Sequence, residues 1–373
     1  MQDTDPAPFH HQAERLAAWI RLEQTPGVGR LTALSLIEQF GSPQAVFDAA
    51  AANLLPQLSK AQVSNLRAAP DPAFAACLDA TFRWLERPGK HLLTYHDPAY
   101  PPLLRQIADP PLLLYAVGRL ELLASAGLAI VGSRNATTQG AANARAFAQA
   151  VSGAGLTVVS GLALGIDAAA HEGALLGPGA TVAVIGTGAD RIYPRRNQAL
   201  ARRIAVEGCI VSEYALGTPP RAENFPRRNR LISGLACGVL VIEAAAGSGS
   251  LITAGVAADQ GRDVFALPGS IHAPLSKGCH QLIKGGAKLV DSAADLLDEL
   301  RVSPLARMHI APAQVYDGPY AALLETLGHG PVDYDTLAGR ADDLGALATQ
   351  LLSLELAGHV ERLPGGFFQR LNR

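Results

Sequence analysis

One kind of strand ending recurs along this chain. Between about residues 91 and 300, short apolar runs rich in β-branched residues alternate with helical stretches, and several runs stop at Gly or Ser. The runs read as strands are Ala129–Val131, Thr157–Ser160, Thr181–Ile185, Cys209–Val211, Gly238–Glu243, Asp263–Ala266 and Lys288–Val290. A strand apolar on both faces has no solvent side, so it belongs in a parallel sheet covered by helices above and below. Crossovers in such a sheet are right-handed, and its ligands sit beyond the carboxyl ends of the strands. The expected fold class is therefore α/β, with a Rossmann-like parallel sheet at its centre.

The flanks have other periods. Ahead of the sheet, apolar residues recur at three and four spacing in Leu16, Ala17, Ile20 and Leu22, and again in Leu31, Leu34, Leu36 and Ile37. That spacing predicts helices. Thr25-Pro-Gly-Val-Gly-Arg30 lies between them and reads as a helix-hairpin-helix turn, whose backbone N–H groups can face a phosphate, or as a plain helix–helix turn. Leu55 to Ala69 offers a degenerate second copy. Behind the sheet, Tyr320–Leu327, Asp335–Ala338 and Leu344–Leu356 read as helices, followed by a hairpin turning at Pro364-Gly365-Gly366. Three helices and a hairpin make a winged helix. The expected domains are an N-terminal helical unit at 1–90, the sheet domain at 91–302, a Pro-containing linker at 303–319 and the winged helix at 320–373.

Composition matters here mainly for what it excludes. Hydrophobic residues are 49% and charged residues 17%, enough to bury a core and too few charges for a disordered chain. A net charge of −2 does not announce a polyanionic partner, so charge placement must decide. Cys77, Cys209, Cys237 and Cys279 are scattered, with no CxxC pair, which argues against a zinc site or a disulfide framework. No apolar run reaches the ~18 residues of a membrane span, and the first residues lack a signal-peptide core, so a cytoplasmic location is expected.

The strand ends carry the chemistry. Ala129-Ile-Val-Gly-Ser-Arg134 runs a strand into a helix starting near Thr137 or Thr138. Gly132 would let a ligand approach the backbone, Ser133 offers a hydroxyl, and the helix start offers N–H groups and a positive dipole end. Arg134 adds a guanidinium that can pair with a phosphate bidentately. Ser160 and Gly161 repeat the pattern at the next strand, with Asp167 as a helix cap or as an orienter of Arg134. Ser250 and Thr253 line a third helix start. Asn224-Phe-Pro-Arg-Arg-Asn-Arg-Leu-Ile-Ser-Gly234 gathers Arg227, Arg228, Asn229 and Arg230. At helical spacing Arg227 and Arg230 share a face and Arg228 points elsewhere. Phe225 could stack on a base.

Several chemistries are excluded. Thr181-Val-Ala-Val-Ile-Gly-Thr-Gly188 begins like a dinucleotide fingerprint, but Arg191 stands where the third Gly belongs; Gly247-Ser-Gly249 fails likewise at Ile252. No P-loop occurs. Nicotinamide, flavin and ATP are thus not expected, and no cofactor is. His171-Glu172 lacks a second His at helical spacing, so no metal is expected. No Ser or Cys has an evident His and acid behind it, so no catalytic residue is assigned.

These residues resemble the DNA-processing protein A (DprA/Smf) family. The matching stretches are Tyr100-Pro-Pro-Leu-Leu104, Ala129 to Arg134, Ser160 to Asp167, Phe225 to Gly234, Glu243 to Thr253, Ala266 to Ser270 and Gly278 to Ala287, in the family's order over about residues 92–290. The resemblance implies an extended Rossmann domain, an N-terminal sterile-alpha-motif-like domain and a C-terminal winged helix. It also implies single-stranded DNA binding, commonly as a homodimer, delivery of the RecA recombinase during natural transformation, and no catalytic turnover. The family's Gly-Ser-Arg pocket falls on Gly132, Ser133 and Arg134, and its aromatic-Pro-x-Arg-Asn-Arg segment on Phe225 to Arg230.

Two departures stand out. His280 replaces an expected Asn. The expected recognition helix, Asp342 to Leu356, carries Asp342, Asp343 and Glu355 and no Lys or Arg. A duplex-reading helix needs cations on phosphates, so a protein-contact role suits this one better. Two other readings remain: a Rossmann-fold phosphoribohydrolase-like enzyme, from whose Pro-Gly-Gly-x-Gly-Thr loop Gly247 to Thr253 departs, and an interaction scaffold whose arginines are solvated. Four arginines on phosphates would give log K a slope near −3 against log salt, and a scaffold none.

Overall fold

The computed structural model describes residues 7–301, 316–328, 330–340, 344–363 and 365–371, with side chains from residue 13 onward. Nine strands form the main sheet: β1 Lys90–Thr94, β2 Leu113–Gly118, β3 Gly127–Val131, β4 Thr157–Ser160, β5 Thr181–Val184, β6 Cys209–Ser212, β7 Gly238–Val241, β8 Asp263–Ala266 and β9 Lys288–Leu289. Their order is β1-β2-β6-β5-β4-β3-β7-β8-β9. Strands β6 through β9 in that order pair in parallel, as the apolar runs predict. The chain winds from β3 outward to β6, then returns to lay β7 on the other side of β3. The strand order therefore switches direction between β3 and β7, and a crevice opens beyond their carboxyl ends.

Burial follows the strand period. Ala129, Val131, Val239 and Val241 face one helical layer, while Leu128, Ile130, Leu240 and Ile242 face the other. The first layer includes Leu231 and Ile232 of helix Asn224–Gly234 and Ala254 and Ala257 of helix Gly249–Asp259. The second includes Ala144, Phe147 and Val151 of helix Thr138–Gly153, and Ile166 and Ala170 of helix Ile166–Ala174.

Strands β1 and β2 were not expected. They pair antiparallel with each other, from Lys90 opposite Val117 to Thr94 opposite Leu113, and β2 is antiparallel to β6. The run Leu112-Leu-Leu-Tyr-Ala-Val117 is apolar throughout, and continuous apolarity does not distinguish a buried strand from a buried helix.

The helices ahead of β1, among them Ala7–Gln24, Arg30–Phe40, Lys60–Arg67 and Pro72–Leu85, pack onto the sheet. Their Trp19, Ile20, Leu36 and Trp84 share one apolar cluster with Leu113, Tyr115 and Ile185. The Trp84 and Tyr115 rings meet edge-on at 5.9 Å. The turn at 25–30 is also held from within. Gln62 donates to the Gly27 carbonyl at 2.7 Å and Asn65 to the Pro26 carbonyl at 2.9 Å. The segment read as a second hairpin copy thus contributes the helix that braces the first.

At the other end, helices Ala321–Leu327, Tyr334–Ala338 and Leu344–Leu356 pack with strands β10 Val332–Asp333, β11 Val360–Leu363 and β12 Phe367–Arg370, ordered β10-β12-β11. Leu323, Leu327, Leu337, Leu347, Leu351, Leu354 and Phe368 form its core. Asp342, Asp343 and residues 303–315 of the expected linker lie outside the described residues. The described helix Leu344–Leu356 exposes Leu344, Leu352 and Leu356, and Glu355 is its only charged residue. Among the described residues no helix is long and apolar enough to cross a membrane, and no group of His, Cys, Asp or Glu could hold a metal ion.

Candidate nucleic-acid interface

The crevice at the β3–β7 switch is a cavity of about 780 Å³. Gly132, Ser133 and Arg134 line it from the end of β3, Phe225, Arg228 and Asn229 from helix Asn224–Gly234, and Ser250 and Thr253 from helix Gly249–Asp259. Eight of the expected site residues thus converge on one cavity although up to 121 residues separate them in sequence.

Arg134 is exposed and forms no hydrogen bond among the described residues. Its guanidinium stands 5.8 Å from the centre of the Phe225 ring, a cation–π arrangement. Tyr193, 47% exposed, is the other neighbour of that ring, its own ring centre 5.6 Å away. Tyr193 was not anticipated as a site residue. It follows the failed dinucleotide fingerprint in a loop, and nothing local ties a loop aromatic to a helix thirty residues on.

Arg228 reverses an expectation. It was read as pointing away from the phosphate face, yet it lines the cavity and is 4% exposed. One nitrogen, Nη1, donates to the Gly161 carbonyl at 2.6 Å and to the Val184 carbonyl. It thereby ties the ends of β4 and β5 to the helix. The signal was present: Asn224, Arg228, Leu231 and Leu235 recur at helical spacing and all are buried. Burial pulls the Arg228 pKa down to about 10, with Asp167 acting in the opposite sense.

Arg227 and Arg230 were expected to face the phosphates together. Neither lines this cavity. Arg227 is exposed at the mouth of a second cavity, and Arg230 is held there by Glu213 at 2.6 Å and Asp109 at 3.2 Å. Two carboxylates already neutralise Arg230, so it has little to offer a phosphate.

Ser160 and Gly161 are also corrected. Ser160 is fully buried and donates to the Ile130 carbonyl at 2.6 Å, bonding β4 to β3 rather than to a ligand. A Cβ at Gly161 would lie 2.5 Å from Arg228 Nη1 and 2.7 Å from Asp167 Oδ2. Gly161 therefore leaves room for Arg228 to approach Asp167. Gly132 serves the protein likewise, since a Cβ there would lie 2.7 Å from Ile166 Cγ1.

Asp167 neither caps its helix nor orients Arg134. Its Oδ2 accepts from the Gly161 N–H at 3.1 Å and the Ala163 N–H at 3.3 Å. Burial raises its pKa, and Arg228 and the two N–H groups oppose the rise. Asn197, also unforeseen, donates to the Leu162 and Ala163 carbonyls and braces the same turn. The start of helix Thr138–Gly153 is partly occupied. Thr137 Oγ1 accepts from the Gly140 N–H, and Glu243 accepts from the Thr137 N–H at 2.9 Å and hydroxyl at 2.6 Å.

Behind the turn, His171 is fully buried and neutral. Thr181 donates its hydroxyl to the Val158 carbonyl, so His171 Nδ1–H donates to Thr181 Oγ1 at 2.7 Å. Nε2 then accepts from the Leu162 N–H at 3.2 Å. Burial, with Arg228 nearby, pulls the His171 pKa down to about 3 from 6.5. The unfolded chain therefore binds the proton first. Stability from this group should be complete above pH ~6.5 and fall toward pH ~3, by up to about 1.4 kcal/mol per pH unit. Urea unfolding across that window should show the fall, and His171→Gln should flatten it. An equal slope in both proteins would contradict the assignment.

Comparison with known proteins supplies a family. Residues 91–301 match the family described as DNA recombination-mediator protein A, and residues 307–366 match the DprA winged helix domain. Over 305 residues the chain is 43% identical to Protein Smf of Escherichia coli, covering 79% of this chain and 81% of that one. It is 50% identical over 203 residues to the DNA processing protein DprA of Streptococcus pneumoniae, covering 54% of this chain and 72% of the other. The X-ray structure of the Streptococcus pneumoniae protein superposes with a TM-score of 0.62 at 38% identity, over 76% of this chain and 97% of that one. The DprA of Helicobacter pylori, described for its unique single-stranded DNA binding mode, superposes with a TM-score of 0.51 at 32% identity over 54% of this chain and 92% of that one. With a sheet domain and a winged helix both matched, in order, the chain belongs to the DNA recombination-mediator protein A family.

Proposed function

We propose that the cavity at the β3–β7 switch holds the backbone of single-stranded DNA, with Arg134 on a phosphate and the Phe225–Tyr193 pair as a platform for a base. The observation that carries this reading is the pairing of an exposed guanidinium with two aromatic rings in one open cavity. Stacking is tolerant of base identity, and guanidinium–phosphate contact is blind to it, so binding should be insensitive to sequence. Domain boundaries near residues 90, 302 and 320 suit this assignment of roles. We read the protein as a cytoplasmic, non-catalytic mediator that acts as a homodimer and delivers RecA recombinase to incoming DNA during transformation, as its family resemblance implies. Against turnover, the one carboxylate lining the cavity among the described residues, Asp167, is already engaged by two N–H groups.

With Arg230 engaged elsewhere and Arg228 turned onto the Gly161 and Val184 carbonyls, two exposed arginines remain for phosphates: Arg134 and Arg227. The expected slope of log K against log salt is then about −1.4 rather than −3. Filter binding of an oligonucleotide at several salt concentrations measures it. A flat response, or tighter binding to duplex than to single strand, would overturn the reading.

A further inference from the structure

The helix that carries Phe225, Arg228 and Asn229 is clamped from outside the sheet domain. Arg30, the first residue of helix Arg30–Phe40, pairs with Asp109 at 2.7 Å and with Glu213. Arg230, on helix Asn224–Gly234, pairs with the same two carboxylates. Two guanidiniums and two carboxylates thus close a ring across the junction. Its inner members are well shielded, with the Glu213 side chain 3% exposed and that of Arg230 12%. Such shielding makes each charge depend strongly on its partners.

A second cavity of about 780 Å³ opens beside this ring. The ionisable groups facing it are Glu23, Arg30, Asp109, Glu213, Tyr214, Arg227 and Arg230. Glu23 lies in the last turn of the preceding helix, Ala7–Gln24, close enough for its charge to act on Tyr115. Burial, then the neighbouring Glu213 carboxylate, raise the Glu23 pKa to about 8, and Arg30 opposes them.

We propose that Arg30 and Glu23 make the N-terminal helices a positioning element for the nucleic-acid cavity, acting through Asp109 and Glu213 on Arg230 and so on its helix. This rests on the single-strand reading above. Arg30 touches no ligand in this scheme; it fixes where the helix stands. While Glu23 is protonated, two cations balance two anions. Ionised Glu23 adds a third carboxylate that competes for Arg30. Because its folded pKa lies above the ordinary value, the stability it contributes is complete below pH ~4.5 and declines as pH rises to about 8. Within the folded chain Glu23 stays largely protonated until about pH 8, so the clamp holds at neutral pH and loosens in mild alkali.

The test uses the full chain, a fluorescent oligothymidylate at fixed salt, and hydrogen exchange of the amides in helix Asn224–Gly234. Arg30→Gln should weaken binding about three- to tenfold at neutral pH and speed exchange in that helix, with Arg30→Lys recovering part of both. The unmodified chain should lose affinity and protection between about pH 7 and pH 9, and Glu23→Gln should remove that pH-dependent loss. Unmodified affinity and exchange in Arg30→Gln, or an undiminished pH response in Glu23→Gln, would overturn the proposal. If the unmodified chain fails to bind the oligonucleotide, the single-strand reading falls, and the exchange measurements still decide the clamp.

Discussion

Arg228→Met should destabilise the folded chain by about 3–5 kcal/mol, the usual cost of removing one of two buried charges that offset each other. Met keeps most of the aliphatic stem, so lost packing is a small part of that figure. The loss is polar. The Gly161 and Val184 carbonyls lose their shared donor, and Asp167, 7% exposed, loses the cation that offsets its burial. Urea unfolding of the single variant measures the total. Adding Asp167→Asn should recover a large part of it, since an amide needs no compensating charge. A single variant within about 0.5 kcal/mol of the parent would mean that Arg228 behaves as a surface residue. Binding should fail in this variant only to the extent that the end of the helix shifts.

Arg134→Ala should have the complementary profile. The side chain is exposed, so stability should stay within about 0.5 kcal/mol. Single-strand affinity should fall by about 1.5–3 kcal/mol, roughly ten- to a hundredfold, if the guanidinium makes a charged hydrogen bond to a phosphate. The salt slope should shrink by about 0.7, one phosphate's share. Titration of the oligonucleotide at two or more salt concentrations gives both numbers. Unchanged affinity would remove Arg134 from the interface. The contrast between the two variants is itself informative, because it separates a residue that builds the cavity from one that serves it.

The winged helix shows how far a local pattern carries. The period of three and four in Leu344 to Leu356 is local information, and that helix appears with the expected bounds. Its lack of cations was equally readable. Strand runs gave the same return: Thr157–Ser160 and Asp263–Ala266 form strands over the expected residues. By contrast, β2 was missed because an unbroken apolar run has no period to read, and β1, Lys-His-Leu-Leu-Thr, because two adjacent apolar residues do not alternate.

The cavity opened in the sequence as Gly132-Ser133-Arg134 at a strand end, and Arg134 keeps its place there on chemistry that is local: an exposed guanidinium just beyond a buried strand. Local pattern sets the alternation of strand and helix, the Gly and Ser strand ends, and the identity of the charged residues. Tertiary structure decided which of those charges are available. Helical spacing correctly puts Arg227 and Arg230 on a different face from Arg228, but it cannot say which face meets the sheet. The neighbours settle that. Leu231 and Ile232 turn Arg228 inward to the strand ends, and Asp109 and Glu213, 121 and 17 residues before Arg230, capture it from the other side. A guanidinium binds whatever carboxylate or carbonyl the fold brings within about 3 Å, and those partners come from distant segments that no local pattern can announce.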